Sequence, residues 1–313
     1  MHIDGYVALA GLIVGFTVGL TGMGGGALMT PILVLLFKVQ PLAAVSSDLV
    51  AAFVMKPVGG AVHLRHGTVN RPLAKWLMVG SVPAAFIGVL ILRQLGNGAT
   101  VQNRIKMSLG VALLLAVATM IVRSVLNLRR RSAAQRQPGG GAGKPPLVIR
   151  PLATMLVGAV GGLVVGMTSV GSGSIIIVML LVLYPGLRAS ELVGTDLVQA
   201  VPLVGSAALG HILFGDFHLG LTTSLLAGSI PGVFVGAKVS TRAPSRLIRG
   251  ALAFVLTASG LKLLEVGNVQ LAVVLAVAGV VGPVLWRYVR ATGGLRVWSP
   301  ATVPAPAVIP AGR

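Results

Sequence analysis

The chain has 313 residues, 55% of them hydrophobic and 10% charged, with a formal net charge of +19 and no cysteine. A soluble domain carries about 25% charged residues, so a water-facing globule is excluded; without cysteine, so are disulfides and thiol chemistry. The basic balance does not read as a nucleic-acid footprint, because Lys and Arg sit mostly in loops and the tail, where they orient membrane helices.

The N-terminus carries His2 and Asp4 and no basic n-region. The first apolar stretch, 7–20, runs into a Gly-rich break rather than a small-residue cleavage site, so it reads as mature structure and not as a signal peptide. A second short stretch, 27–37, follows the break, then 43–63 and further segments to 126. Segments 105–126, 189–212, 219–239 and 268–286 are the clearest, near the ~20 residues that a spanning helix needs. Barrel strands would alternate apolar and polar residues. The run 110–118 does not alternate, and backbone in hydrocarbon must satisfy itself, so the segments are predicted helices.

The chain is duplicated. Gly15, Gly19, Thr21, Gly24 and Gly26 fall on Gly162, Gly166, Thr168, Gly171 and Gly173 at an offset of 147. The offset then becomes 148, which places Asp48 on Asp196, His63 on His211, Gly80-Ser-Val-Pro83 on Gly228-Ser-Ile-Pro231, and Gly88 on Gly236. Shared apolar letters mean little in such a chain, but matched Asp, His and Pro at one offset do. Residues 5–126 are therefore read as a first transmembrane repeat and 151–264 as a second. Between them, 127–150 reads as a basic flexible linker, with Arg129 to Arg131 and a Gly/Pro-rich run. Segment 268–290 is an additional C-terminal helix with no counterpart, and 291–313 a Pro- and Ala-rich disordered tail.

Basic loops mark the cytoplasmic side. The linker is therefore placed inside, together with Lys238 to Arg249 and Arg65 to Lys75; loop 93–106, with Arg93, Arg104 and Lys106, counts against the scheme. Each repeat holds five apolar segments, the first two short. Five is odd, so the second half starts on the opposite side. The predicted fold is an all-α polytopic membrane protein of two inverted repeats, each with a Gly-rich broken helix or re-entrant hairpin.

The breaks are the first candidate site. Consecutive glycines destabilise a helix by about 1 kcal/mol each relative to Ala, so Thr21, Gly22, Gly24, Gly25 and Gly26 predict a non-helical turn. The second copy, Thr168, Ser169, Gly171, Ser172 and Gly173, adds two hydroxyls. Such backbone survives at membrane depth only when buried or lining a wet cavity. A helix that starts after a break presents free N–H groups suited to an anion. The alternative is close helix packing through small residues, the role assigned to Gly15, Gly19, Gly162 and Gly166. No Gly-Lys-Ser/Thr ending supports a nucleotide loop.

Ionisable residues inside apolar segments are the second. Lys56 lies deep in 43–63, and its second-half counterpart is Val204, so the repeat architecture does not demand the charge. It is predicted to face the anion. Asp48 and Asp196 each follow a hydroxylic residue, and helix capping near the interface weighs equally with a transport role. His63 and His211 are predicted at helix ends, in interfacial hydrogen bonds or as proton-coupling groups. No His and acidic spacing suggests a metal site, and no cofactor is implied.

The duplicated break, Thr195-Asp196-Leu197 and the spaced string Asp48-Leu…Lys56-Pro-Val-Gly…His63…Gly67-Thr-Val together resemble the sulfite exporter TauE/SafE family, the 4-toluene sulfonate uptake permeases. The resemblance covers about 5–264. Departures are Ser46-Ser47 opposite Gly194-Thr195, and the second Gly run diluted by Ser169 and Ser172. The resemblance implies a multi-pass protein of the bacterial inner membrane. It also implies a permease for sulfite, a sulfonate or a related small anion, in either direction. No nucleotide-binding motif is visible, so ion coupling or facilitated diffusion drives it in this reading, with a coupling proton or cation as a candidate further partner. Two other classes stand beside it: a non-transporting partner in a membrane complex, and an intramembrane enzyme built on the symmetric pair Asp48 and Asp196. Duplication alone explains that symmetry, so no catalytic residue is assigned.

Overall fold

The computed structural model describes residues 4–21, 26–94, 98–135, 148–214, 217–240 and 245–291. Among them the fold is all-α, with a single bridge between Gly171 and Gly173 and no strand. The helices are α1 (Gly5–Thr21), α2 (Gly26–Leu35), α3 (Pro41–Arg65), α4 (Arg71–Gln94), α5 (Ala99–Gln135), α6 (Pro151–Thr168), α7 (Ile175–Leu183), α8 (Ala189–Phe214), α9 (Leu219–Ser240), α10 (Ser245–Leu263) and α11 (Asn268–Ala291). Segments α4, α5, α6, α8 and α9 are long and apolar enough to cross a bilayer, and shorter apolar helices accompany them. The protein is a multi-pass membrane protein. Leu9, Ile13, Ile87, Val111 and Leu115 point outward, as a lipid-facing surface requires.

Local sequence sets the helix starts. Asp4 Oδ1 accepts the Tyr6 N–H at 2.9 Å and caps α1. Asn70 Oδ1 accepts the Leu73 N–H at 3.1 Å and caps α4. Pro41 and Pro151 open α3 and α6, where a missing N–H has no cost. Pro57, Pro83, Pro202 and Pro231 stand inside helices, which neighbouring helices tolerate in membranes.

The two sets of five helices follow one order, α1 to α5 and α6 to α10. Their packing is interlocked: α1 lies along α9 of the other half, and α4 along α6. Both pairs run parallel. Ala8, Leu12 and Phe16 face Gly228, Gly232 and Gly236; Leu77, Ser81 and Ala85 face Gly158, Gly162 and Gly166. The helices that correspond between halves and touch each other run antiparallel. Ser46 of α3 meets His211 of α8, while Gly60 meets Leu197. Gly110 of α5 lies against Gly260 of α10, and Lys106 against Glu265.

Three of the glycines assigned to close packing, Gly15, Gly162 and Gly166, therefore have a packing role that can be measured. A Cβ on Gly15 would sit 2.4 Å from the Ser229 carbonyl, and one on Gly162 2.3 Å from that of Ser81. The match Gly80/Gly228 is tighter still: 2.0 Å from the Met155 carbonyl and 1.7 Å from that of Ala8. Backbone meets backbone here, and no side chain can yield.

Helix directions place Arg65, Arg71, Lys75, Arg150 and Arg188 at one end of the bundle. At the other end two of the three basic residues that disturbed the charge scheme are engaged. The Arg93 guanidinium lies 4.5 Å from the Phe214 ring centre. Lys106 Nζ donates to Glu265 at 2.8 Å and holds that carboxyl below the usual carboxylate range. One boundary differs from the sequence reading. Helix α5 runs on through Gln135, into the segment read as linker, because Arg129 to Gln135 contain no helix breaker. Helix α11 spans Asn268–Ala291, and the tail read as disordered lies, from 292 on, outside the described residues.

Gly80→Ala and Gly228→Ala are each expected to destabilise the protein by about 1–3 kcal/mol through overpacking. Gly220→Ala, with nothing within 4 Å of its Cβ, is expected to leave stability unchanged. Thermal unfolding in detergent reads the difference, and equal melting of all three would refute the packing role.

Candidate functional site

The second break is built from its own residues. The Ser169 N–H donates to the Val165 carbonyl at 2.7 Å and ends α6, with Ser169 itself left-handed at φ 59°. Thr168 Oγ1 accepts the Val170 N–H at 3.2 Å and so satisfies one backbone group freed by the turn. Gly171 and Gly173 adopt φ of 132° and 87°, which side chains rarely do. The Ile175 N–H then donates to the Gly171 carbonyl at 3.0 Å and starts α7. Helix α7 has nine residues, about 14 Å, roughly half of the hydrocarbon core. Its far end is tied to the start of α6, since Tyr184 Oη accepts the Arg150 N–H at 2.9 Å and lies 2.5 Å from Thr154 Oγ1. The break is thus enclosed between α6 and the short returning helix α7.

Three ionisable side chains hold it. Asp48 and Asp196 are fully buried within α3 and α8, well past the first turn, so neither is the interfacial cap that the preceding hydroxyl suggested. Asp48 Oδ2 accepts Thr30 Oγ1 of α2 at 2.7 Å and Ser169 Oγ of the break at 2.8 Å. Asp196 accepts Gln199 Nε2 at 3.0 Å and the Gly173 N–H. Gln199 in turn accepts Ser81 Oγ of α4 at 3.0 Å. Lys56 lies between them, 8% exposed, and its Nζ donates to Ser172 Oγ. Among the described residues no carboxylate approaches Lys56 within 4 Å; its attraction to Asp196 and Asp48 acts over longer range.

Lys56, Ser169 and Gly171 to Ser174 line a small cavity, closed on the other side by Ala27, Ala116 and Val204. The cavity is tight, with room for about one water molecule. One wall is polar and cationic, the other aliphatic. Val204 and Lys56, its counterpart at the sequence offset of 148, line the same cavity.

The structure thus brings together Lys56, Asp48, Asp196 and the break Thr168 to Gly173. In the first break, Thr21 ends α1 and Gly26 opens α2, while Gly22, Gly24 and Gly25 lie outside the described residues. The two histidines separate. His63, half-buried, bonds Thr68 Oγ1 of the following loop at 2.8 Å, as a helix-end residue would. His211 is instead fully buried, with Nε2 2.9 Å from the Gly166 carbonyl and Nδ1 2.8 Å from Ser46 Oγ. A carbonyl only accepts, so Nε2 carries a proton. The repeat partner of Ser46 is Gly194, which lies beside His63 without a hydroxyl to offer. Thr30 and Gln199 were missed by sequence reading. Thr30 is a lone polar residue within an apolar helix segment, and Gln199 stands three residues after Asp196 on one helical face; those are the signals that would have found them.

The family model of sulfite exporter TauE/SafE matches residues 7–263. The chain belongs to this family. It is also 38% identical over 259 residues to the probable membrane transporter protein YjnA of Bacillus subtilis (strain 168), covering 82% of this chain and 98% of the relative. Identity to the probable membrane transporter protein YdhB of the same organism is 24% over 260 residues, 82% of this chain and 99% of the relative. No solved structure matches. The match ends with α10, so α11 and the tail lie beyond it.

Gly171→Ala and Gly173→Ala place a side chain at strongly positive φ. Each is expected to cost about 1–3 kcal/mol and to lower the melting temperature in detergent. Unchanged melting in both would show that the break does not depend on these dihedrals.

Proposed function

We propose that this membrane transporter is a secondary permease for a small anion such as sulfite, a sulfonate or another sulfur-containing or organic oxyanion. Lys56 carries the reading. A buried ammonium without a carboxylate at contact distance, hydrogen-bonded to a hydroxyl of a broken helix, is a group waiting for an anion. Ser172 and the Gly171 backbone supply donors, Ser169 and Gly173 supply shape, and α2 reaches the site from the other half. Ala27, which follows Gly26, lining the same cavity supports this. No cofactor is needed.

The two halves are inverted repeats in this reading. The antiparallel run of α3 against α8 and of α5 against α10 supports it, because corresponding helices point in opposite directions only under an axis in the membrane plane. Rocking of one half against the other would then expose the cavity alternately. The end with Arg65, Arg71, Arg150 and Arg188 is the cytoplasmic one by its charge. The membrane is the bacterial inner membrane. No nucleotide motif is present in the sequence, so ion gradients or the anion's own gradient drive flux.

The test is uptake of labelled sulfite and methanesulfonate into proteoliposomes of the purified protein, within a panel of small anions. Flux above protein-free vesicles is expected, and Lys56→Met is expected to lower it at least about tenfold, since losing one partner of a buried charged contact costs 2–5 kcal/mol. No flux for any anion sinks the permease; normal flux through Lys56→Met removes Lys56 from the site.

A further inference from the structure

Asp48 has a feature that anion binding does not use. Both of its hydrogen bonds go to Oδ2, and Oδ1 has no partner although the residue is fully buried. Ser47 Oγ beside it is also without one. A carboxylate oxygen left bare in a low-dielectric interior calls for a cation or a proton. A proton needs no further ligands and no room, which suits so closely packed a position.

The charged groups around Asp48 can be counted element by element. On α3 itself stands Lys56, with His63 and Arg65 at the far end of the helix. Helix α8 brings Asp196, with Glu191 at its start capping Arg188, and His211, whose two nitrogens face the Gly166 carbonyl and Ser46. Helix α5 brings Arg123, which acts on Asp196; Arg104 is exposed and Lys106 pairs with Glu265. The described side chains of α2 and α9 include no ionisable group. Lys56 and Arg123 against Asp196 leave one net positive charge. With Asp48 ionised, the empty site is neutral. With a monoanion bound, it is neutral only when Asp48 is protonated. Departures from neutrality are most costly where water is scarce.

We infer that Asp48 is the proton-carrying group of the transporter, and that each monoanion crosses together with one proton. This rests on the anion-permease reading above. The linkage is reciprocal, so anion binding favours the protonated carboxyl and protonation favours the anion. The proton enters Asp48 Oδ1 from water on the side the site faces and leaves to water on the other; no bond to the anion forms or breaks. Ser169 is the physical link, since its hydroxyl bonds Asp48 and lines the anion cavity.

The experiment uses labelled methanesulfonate, which stays ionised across the working pH range. It is run in proteoliposomes of the full chain, with the membrane potential clamped at zero and an internal pH dye. With the outside one pH unit more acidic, wild type is expected to concentrate the label about tenfold, the ratio set by one proton per anion, and to acidify the lumen. Asp48→Asn is expected to give a ratio near one. Wild-type flux that ignores the pH gradient and moves no proton overturns the coupling and leaves the permease standing. No methanesulfonate flux in wild type overturns the coupling as written, whereas the permease falls only if the whole anion panel fails. Asp48→Asn that still concentrates the label tenfold overturns the assignment to Asp48. The wild-type proton-to-anion ratio decides the coupling even if the variant does not fold.

Discussion

Backbone N–H and C=O groups have no water to turn to in hydrocarbon, and this constraint governs everything else in the molecule. A stretch of non-helical chain at membrane depth survives only where other groups satisfy it and other helices cover it. The second break meets both conditions. Thr168 and Gly171 close its local bonds, Asp48 and Asp196 take up the Ser169 hydroxyl and the Gly173 N–H, and Lys56 reaches Ser172. The same three side chains that make the break possible give it a charge pattern. Structure and site are one set of contacts.

Close helix packing is the second requirement. The halves interlock through α1 with α9 and α4 with α6, where glycines let backbones touch. Without a hydrophobic drive between helices in lipid, such contact is a main source of cohesion.

The duplication is not perfect, and its flaws are chemical. Lys56 and Val204 line the same cavity, so among its described lining residues only the first half brings a cation. Ser81 bonds Gln199, whereas its repeat partner Ser229 is buried without a partner, because position 51 is Ala where the second half has Gln. Ser46 meets His211, whereas Gly194 has nothing to give His63. The matched positions set the frame, and single differences between the halves make one side of it polar.

Much of this was legible in the chain. Low charge and long apolar runs require a membrane helix bundle, because nothing else satisfies both backbone and side chains there. The offset of Asp, His, Gly and Pro reveals the duplication, and three glycines in a row reveal a break, since a helix cannot carry them at depth without support. Lys56 stood out because burying a lone charge is costly. What the chain could not disclose was partnership. Whether Asp48 caps a helix or clamps a break depends on a threonine 18 residues away and a serine 121 residues away. That His211 is buried and His63 is not depends on which helix crosses each. Local sequence determines which elements form. Only the tertiary packing of α3 and α8 against the broken helix decided which of the costly polar groups share one cavity, because those contacts join residues that no local rule brings together.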